Sequence, residues 1–231
     1  MTQDEAKGLV AKRATEFVRD GMVVGLGTGT TATIFIRELA VRVRNGELKI
    51  RCVASSDASH ELAAALGMSV ATLAELPELD VYIDGADEIA KVQGMGFALI
   101  KGGGGALLRE KIVASAAKSF IVVADSTKMV DVLGRFPLPV EVIKMALPVV
   151  QPRLAALGLN PTLRQAKNGC GPYLTDEGNY VLDCACGRIE EPEKTAAAIR
   201  GIIGVVEHGL FLGVATLVLV AGEDGVSEHR P

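Results

Sequence analysis

The sequence predicts an α/β protein in which a doubly wound parallel sheet carries a smaller inserted α+β domain, and three observations lead to it. Short apolar runs alternate with stretches of helical period through the first half of the chain, the arrangement of a parallel sheet covered by helices. Glycine turns open two of those helices, at residues 27–29 and 102–105. An apolar strand pattern then returns at Ala215 to Val220, after a segment of different texture, so the small domain reads as an insertion and not as a tail. With 231 residues, 49% of them apolar, and 26 glycines, the chain can bury a large core without covalent staples.

Thr2 with Glu5 three residues later predicts a capping box, followed by the helical stripe Ala6, Leu9, Val10, Ala14, Phe17 and Val18, with an end at Gly21. Met22 to Leu26 reads as a strand leading into Gly27-Thr28-Gly29-Thr30-Thr31, and Ile34, Phe35, Leu39, Ala40 and Val43 resume a helix. The series continues with a strand at Lys49 to Ala54, the turn Ser55-Ser56-Asp57, a helix from Ser59 to Leu66, and a strand at Asp80 to Ile83. Ala106 to Ala117 reads as a helix and Phe120 to Ala124 as a further strand. In such a Rossmann-like sheet the ligand site lies beyond the carboxyl ends of the strands. Near Gly134 the texture changes to Phe136-Pro137-Leu138-Pro139-Val140-Glu141-Val142, then a helix near Pro152 to Leu157. Hairpin-like segments at Thr162 to Arg164 and Tyr173 to Leu182, turning at Asp176-Glu177-Gly178-Asn179, precede a helix near Pro192 to Arg200. The expected division is residues 1–133 and 208–231 for the sheet domain and 134–207 for the small domain, acting as a lid or an oligomerisation surface.

A net charge of −4 and the lack of any Lys/Arg block argue against nucleic acid or an anionic membrane as partner, because both require a concentrated positive field. Met1 to Glu5 carries no basic or apolar signal region, and no apolar stretch approaches a membrane span, so the cytoplasm is the expected compartment. Cys52, Cys170, Cys184 and Cys186 read as reduced thiols, since Cys184-Ala185-Cys186 lacks the spacing of paired zinc ligands and no histidine is close by. His60, His208 and His229 are scattered and read as structural or surface residues.

Four segments carry possible chemistry. In Gly25-Leu26-Gly27-Thr28-Gly29-Thr30-Thr31-Ala32 the glycines free the backbone to turn N–H groups toward an anion at a helix start, and three hydroxyls add donors. The run also fits a relaxed dinucleotide fingerprint, but the second strand ends in Ser55-Ser56 where a ribose-binding acid belongs, and no lysine follows the glycines as a nucleotide P-loop requires. A simple phosphate is therefore the expected ligand, against a bare strand-to-helix turn. Asp84, Asp87 and Glu88 place three carboxylates within five residues, which points to acid/base work, to Mg²⁺, or to an exposed capping turn. Four successive glycines after Lys101 are costly in backbone entropy, so something is expected to approach Gly102, Gly103, Gly104 and Gly105 closely. Glu110 shares a helical stripe with Val113 and Ala117 and should face inward, where burial would raise its pKa toward the range of a general base for carbon acids; the alternative is an exposed glutamate beside Arg109 and Lys111. Lys128, after the strand ending at Ala124, can reach the same crevice or lie on the surface.

Taken in order, Gly27-Thr28-Gly29-Thr30-Thr31, Ser55-Ser56-Asp57-Ala58-Ser59, Asp84-Gly85-Ala86-Asp87-Glu88-Ile89, Lys101-Gly102-Gly103-Gly104, Arg109-Glu110-Lys111 and Phe136-Pro137-Leu138-Pro139-Val140-Glu141-Val142 resemble the ribose-5-phosphate isomerase family, type A. The resemblance spans essentially the whole chain. It implies interconversion of D-ribose 5-phosphate and D-ribulose 5-phosphate through an enediolate in the non-oxidative pentose phosphate pathway, a mechanism without metal or cofactor, and assembly as a homodimer or homotetramer. It also implies roles. Thr28, Gly29, Thr30 and Thr31 would hold the substrate, mainly its phosphate, with Lys7 near the phosphate and Lys101 and Lys128 supplying positive charge. Glu110 would be the base. Asp84 and Asp87 would handle hydroxyl protons and help open the furanose ring, with Gly85, Ala86 and Gly102 to Gly104 completing the substrate contacts. Gly105 and Leu108 depart from the alanine and threonine expected in that block, without removing an assigned group.

Rivals are a sugar-phosphate-sensing regulator, for which no helix-turn-helix is found ahead of the sheet and in which Glu110 would have no task, a related coenzyme A transferase, an amino-sugar phosphate deaminase, and a dehydrogenase.

Overall fold

The computed structural model describes residues 1–231, which fall into two compact units: Met1–Ala86 with Arg109–Met129 and Val214–Pro231, and Asp87–Leu108 with Val130–Gly213. In chain order the elements are α1 (Gln3–Thr15), β1 (Val23–Leu26), α2 (Thr30–Arg44), β2 (Arg51–Ala54), α3 (Asp57–Ala65), β3 (Val70–Ala71), β4 (Val81–Asp84), β5 (Glu88–Val92), β6 (Gly96–Ile100), α4 (Leu107–Ser115), β7 (Phe120–Asp125), β8 (Leu138–Val142), α5 (Leu147–Ala156), β9 (Pro161–Leu163), β10 (Tyr180–Cys184), α6 (Pro192–Arg200), β11 (Val205–His208), β12 (Leu210–Leu212), β13 (Leu217–Gly222) and β14 (Gly225–His229).

The first unit is a seven-stranded sheet in the order β14-β13-β7-β4-β1-β2-β3, parallel throughout except for the β13–β14 hairpin at one edge. Its central strands are short apolar runs buried along their length, as expected where helices cover a parallel sheet. α1 begins with the predicted capping box: Glu5 N donates to Thr2 Oγ1 at 3.2 Å and Thr2 N to Glu5 Oε2 at 2.7 Å. Its Val10 and Ala14 join Phe35, Leu39, Ile83 and Val123 in one apolar core. The strand at 217–222 pairs in parallel with β7, so the chain returns to this sheet as the sequence predicted.

The second unit has a four-stranded antiparallel sheet in the order β11-β8-β10-β9 and a three-stranded one in the order β12-β6-β5. Its core gathers Ala98, Ile100, Val140, Leu154, Leu182 and Ile199. This unit is larger than the expected 134–207, because residues 88–100, to which the sequence reading assigns no element, form a hairpin. Gly94 and Gly96, at φ 80° and 88°, make the reversal, and β6 pairs with β12, which holds the hairpin in this unit. α5 starts earlier than the expected Pro152, since Pro148 occupies the first turn, where a missing N–H is harmless. The strand expected from Tyr173 begins only at Tyr180, after a turn in which Thr175 N donates to Asn179 O at 3.0 Å. No helix of the chain is long and apolar enough to cross a membrane.

Candidate active site

In the first unit the site is built on the carboxyl ends of β1 and β4. Gly25 pairs with Tyr82 and Leu26 with Ile83, and both Gly25 and Gly27 are glycine for lack of room. A Cβ on Gly25 would meet Tyr82 Cδ2 at 2.7 Å, and one on Gly27 would fall inside the Asp84 carboxylate. Tyr82 and Asp84, two apart on one strand, share a face, so Gly25 of β1 and Gly27 just beyond it make way for this pair. Asp84 is fully buried. Its Oδ1 accepts from Thr28 N at 3.0 Å and from Gly85 N at 2.7 Å, and its Oδ2 accepts from the Tyr82 hydroxyl. The Thr28 hydroxyl meets those of Ser55 and Ser56, each at 2.9 Å, and the Ser59 hydroxyl donates to Gly27 O at 2.6 Å.

Gly29, at φ 97°, is the residue before α2, and no side chain caps that helix. The amides of its first turn, at Thr30, Thr31 and Ala32, therefore have no capping side chain, the condition under which a helix start receives an anion. Thr30 is exposed and Thr31 half-buried, as are Gly85 and Ala86 after β4.

Glu110 lies in the first turn of α4 and is only 3% exposed, so the inward reading of its stripe holds. Neighbouring Arg109 turns outward to Asp57, with Nη1 2.6 Å from Oδ1. The Tyr82 phenol is pushed well above its ordinary value, first by burial and then by the charges of Asp84 and Glu110, so it remains a hydroxyl donor. Lys7 on α1 has a largely covered side chain with its Nζ 3.5 Å from Asp4 Oδ1. Lys128 is half-buried in the turn Ser126–Lys128 that follows β7, which Asp125 caps by accepting from Thr127 N at 3.0 Å.

In the second unit the glycine run follows β6. Lys101 is buried, with its N donating to Gly209 O at 2.9 Å and its ammonium 5.5 Å from the centre of the Phe211 ring, a cation–π arrangement. The run is approached closely, as predicted. A Cβ on Gly103 would meet Asp87 Oδ1 at 2.7 Å and Phe136 Cζ at 3.0 Å, and one on Gly105 would overlap the Tyr173 ring. Gly102 and Gly105 also have positive φ, 100° and 88°. Gly103 N donates to Asp87 Oδ2 at 2.8 Å. The carbonyls are taken up by side chains: Arg164 Nη1 donates to Gly102 O at 3.0 Å and to Gly103 O at 3.2 Å, and Tyr173 donates to Gly104 O at 3.1 Å. Arg164 is itself held by both carboxylate oxygens of Asp183.

The acidic segment is less crowded than its spacing implied, because each carboxylate has its own partners. Asp84 turns to β1 and Asp87 to Gly103, while Glu88, fully buried at the start of β5, accepts from Gly134 N and Phe136 N, both at 2.7 Å. No group of three or more His, Cys, Asp and Glu side chains is placed to hold a metal ion. All four cysteines are thiols; burial pushes Cys52 up to about 12 and Cys186 to about 11, which makes both poor nucleophiles. His208 is buried and its Nδ1 accepts from Leu210 N at 3.2 Å, a structural placement. Sequence reasoning missed Tyr82, Arg164 and Tyr173, and took Glu88 for a member of one acidic cluster. The period-two match of Gly25-Leu26-Gly27 to Tyr82-Ile83-Asp84 could have revealed the first, whereas Arg164 and Tyr173 have no local signal.

Residues 51–225 match the model of the family ribose 5-phosphate isomerase A, also called phosphoriboisomerase A. The chain is 49% identical over 225 residues to the ribose-5-phosphate isomerase A of Sphingopyxis alaskensis, covering 97% of this chain and 96% of that one. It is 47% identical over 228 residues to that of a Synechococcus species, covering 98% and 97%. Among solved structures, ribose 5-phosphate isomerase A of Methanocaldococcus jannaschii superposes over 100% of both chains with a TM-score of 0.94 at 39% identity. A D-ribose-5-phosphate isomerase in complex with phospho-erythronic acid does so over 100% of both chains with a TM-score of 0.95 at 36% identity. The resemblance first carried by a handful of short motifs thus extends over both units, and the chain belongs to the ribose-5-phosphate isomerase A family.

Proposed function

We propose that this chain interconverts D-ribose 5-phosphate and D-ribulose 5-phosphate, with Glu110 as the base that moves the carbon-bound proton. Family membership supports the reaction, and the observation that carries the assignment of the base is the burial of Glu110 in the first turn of α4. A carboxylate withdrawn from water is a stronger base toward a weak carbon acid than an exposed one.

In the open-chain aldose, Glu110 takes the proton from C2, the carbonyl oxygen on C1 becomes the oxyanion of a 1,2-enediolate, and Lys101 stabilises that charge. Return of the proton to C1, with loss of the O2 proton and gain of one at O1, completes the ketose. Asp84 and Asp87 carry those hydroxyl protons and assist opening of the furanose ring. The first-turn amides of α2, with Thr28, Gly29, Thr30 and Thr31, receive the phosphate, while Lys7 and Lys128 add positive charge; Gly85, Ala86 and Gly102 to Gly104 line the sugar. Phospho-erythronic acid, bound by one relative, presents a carboxylate and a phosphate on one short chain, much as an enediolate phosphate presents its two anionic ends. The reaction needs no metal or cofactor in this scheme. Assembly with copies of itself, as a homodimer or homotetramer, and a cytoplasmic site of action belong to the same reading; the exposed apolar side chains Met145 and Ile203 of the second unit support the former.

The test is formation of ribulose 5-phosphate from ribose 5-phosphate in excess EDTA by the parent chain and Glu110→Gln. The parent should remain active and the variant should lose about 10²–10⁴-fold in kcat, the usual worth of a general base. An inactive parent would overturn the reaction, and a fully active variant would reassign the base.

A further inference from the structure

The block Ser55 to Ser59 and the buried Tyr82 have no part in the chemistry above, yet they surround its first loop. We propose that Tyr82 is a positioning residue that holds the Asp84 carboxylate in place through its hydroxyl, and that Ser55, Ser56 and Ser59 hold the Thr28 loop in the matching position. This rests on the reading of Asp84 as a carrier of hydroxyl protons.

The placement follows from the strands. Tyr82 and Asp84 project from the same face of β4 over Gly25 of β1 and Gly27 just beyond it, which leave room for them. A phenol that is fully buried requires an acceptor, and Asp84 Oδ2 is its acceptor. With Thr28 N and Gly85 N on Oδ1, both oxygens of the carboxylate are fixed, and the donor from Thr28 ties proton handling to the phosphate loop. The Tyr82 ring is set in turn by Phe120, 4.9 Å away between centroids and inclined at 31°. On the other side of the loop, Ser56 caps α3 by accepting from Ser59 N at 3.1 Å, and Ser59 donates to Gly27 O. Thr28 is thereby held by its N–H to Asp84 and by its hydroxyl to the serines.

The Tyr82 phenol stays protonated, held up first by burial and then by the charges of Asp84 and Glu110, so it remains a donor to the carboxylate. Loss of that donor loosens Oδ2 while the contacts on Oδ1 remain, so the chemical step should slow with little change in substrate binding.

The experiment measures Tm, and kcat and KM for ribose 5-phosphate, in the parent, Tyr82→Phe, Phe120→Leu and Ser59→Ala. Tyr82→Phe should lower kcat about 10-fold, the scale of one hydrogen bond to a charged group, and change KM by less than about 2-fold. Phe120→Leu loosens the same ring but keeps the hydroxyl, so it should lower Tm and leave kcat close to the parent's. Ser59→Ala should raise KM several-fold with kcat little changed. Parent-like kcat in Tyr82→Phe would overturn the role of the phenol, as would an equal fall in kcat in Phe120→Leu. A parent-like KM in Ser59→Ala would overturn the role of the serines. Both of these are read against an active parent, so they are distinct from failure of the isomerase reading itself.

Discussion

In the first loop, Gly27–Thr31, the two demands on glycine fall on different residues, Gly27 making room for a side chain from the neighbouring strand and Gly29 bending the chain at φ 97°, whereas at Gly102 and Gly105 both demands fall on the same residue. In the first loop a Cβ on Gly27 would collide with Asp84, and the loop N–H of Thr28 is turned inward to that carboxylate. In the second, Gly102 and Gly105 have positive φ, and three successive carbonyls are turned to Arg164 and Tyr173. The two loops are stabilised by different chemistry: a carboxylate that collects backbone donors in one, a guanidinium and a phenol that collect backbone acceptors in the other. What the contrast teaches is that a glycine run identifies a close approach without identifying what approaches.

Substitutions can separate the two modes. Gly27→Ala should have the largest effect, because the new Cβ occupies the space of the Asp84 carboxylate. Overpacking of this kind costs about 1–3 kcal/mol of stability, and displacement of a reacting group by about 1 Å is worth about 10²-fold in rate. Steady-state kinetics with thermal melts check both; parent-like kcat would show that Asp84 moves without consequence. Arg164→Met should come next, releasing two glycine carbonyls and leaving Asp183 without its guanidinium. Loss of hydrogen bonds to a charged group is worth about 1.5–3 kcal/mol each when buried. Arg164 and Asp183 side chains are 14% and 29% exposed, so the effect on Tm belongs at the lower end of that range. A fall in kcat of about 10-fold would fit a loop displaced by less than the 1 Å considered above, and an unchanged rate would confine Arg164 to stability. Tyr173→Phe should have the smallest effect, about 0.5–1.5 kcal/mol for the one neutral hydrogen bond to Gly104 O. Its ring, which fills the space beside Gly105, is retained, so activity should stay close to the parent in the same assay.

Much of the first unit was legible because its signals are local. The capping box of Thr2 and Glu5 and the strand-glycine-helix sequence at 22–43 depend on residues close in the chain and formed where expected, whereas α1 ends at Thr15, short of the expected Gly21, and Leu9 of its stripe is exposed. The inward placement of Glu110 was also legible, from its spacing to Val113. The hairpin at 88–100 was not, because a charged residue at its start reads as loop. Glu88 can be buried there because the amides of Gly134 and Phe136 and the Arg135 guanidinium, more than forty residues away, satisfy it.

The same distinction marks what each level determined about this protein. By itself, the sequence determined the class of fold, the return of the strand at 215–220 to the first sheet and the order of motifs shared with the isomerase family, because periodicity, caps and glycine turns are properties of neighbours along the chain. Only the tertiary structure decided that Asp84, Asp87 and Glu88, crowded in sequence, take three different sets of partners. It alone placed Tyr82 over Gly25, and Arg164 and Tyr173 on the glycine carbonyls. The physical reason is that a buried polar group must find its partner wherever the fold brings one, and that partner can lie anywhere in the chain.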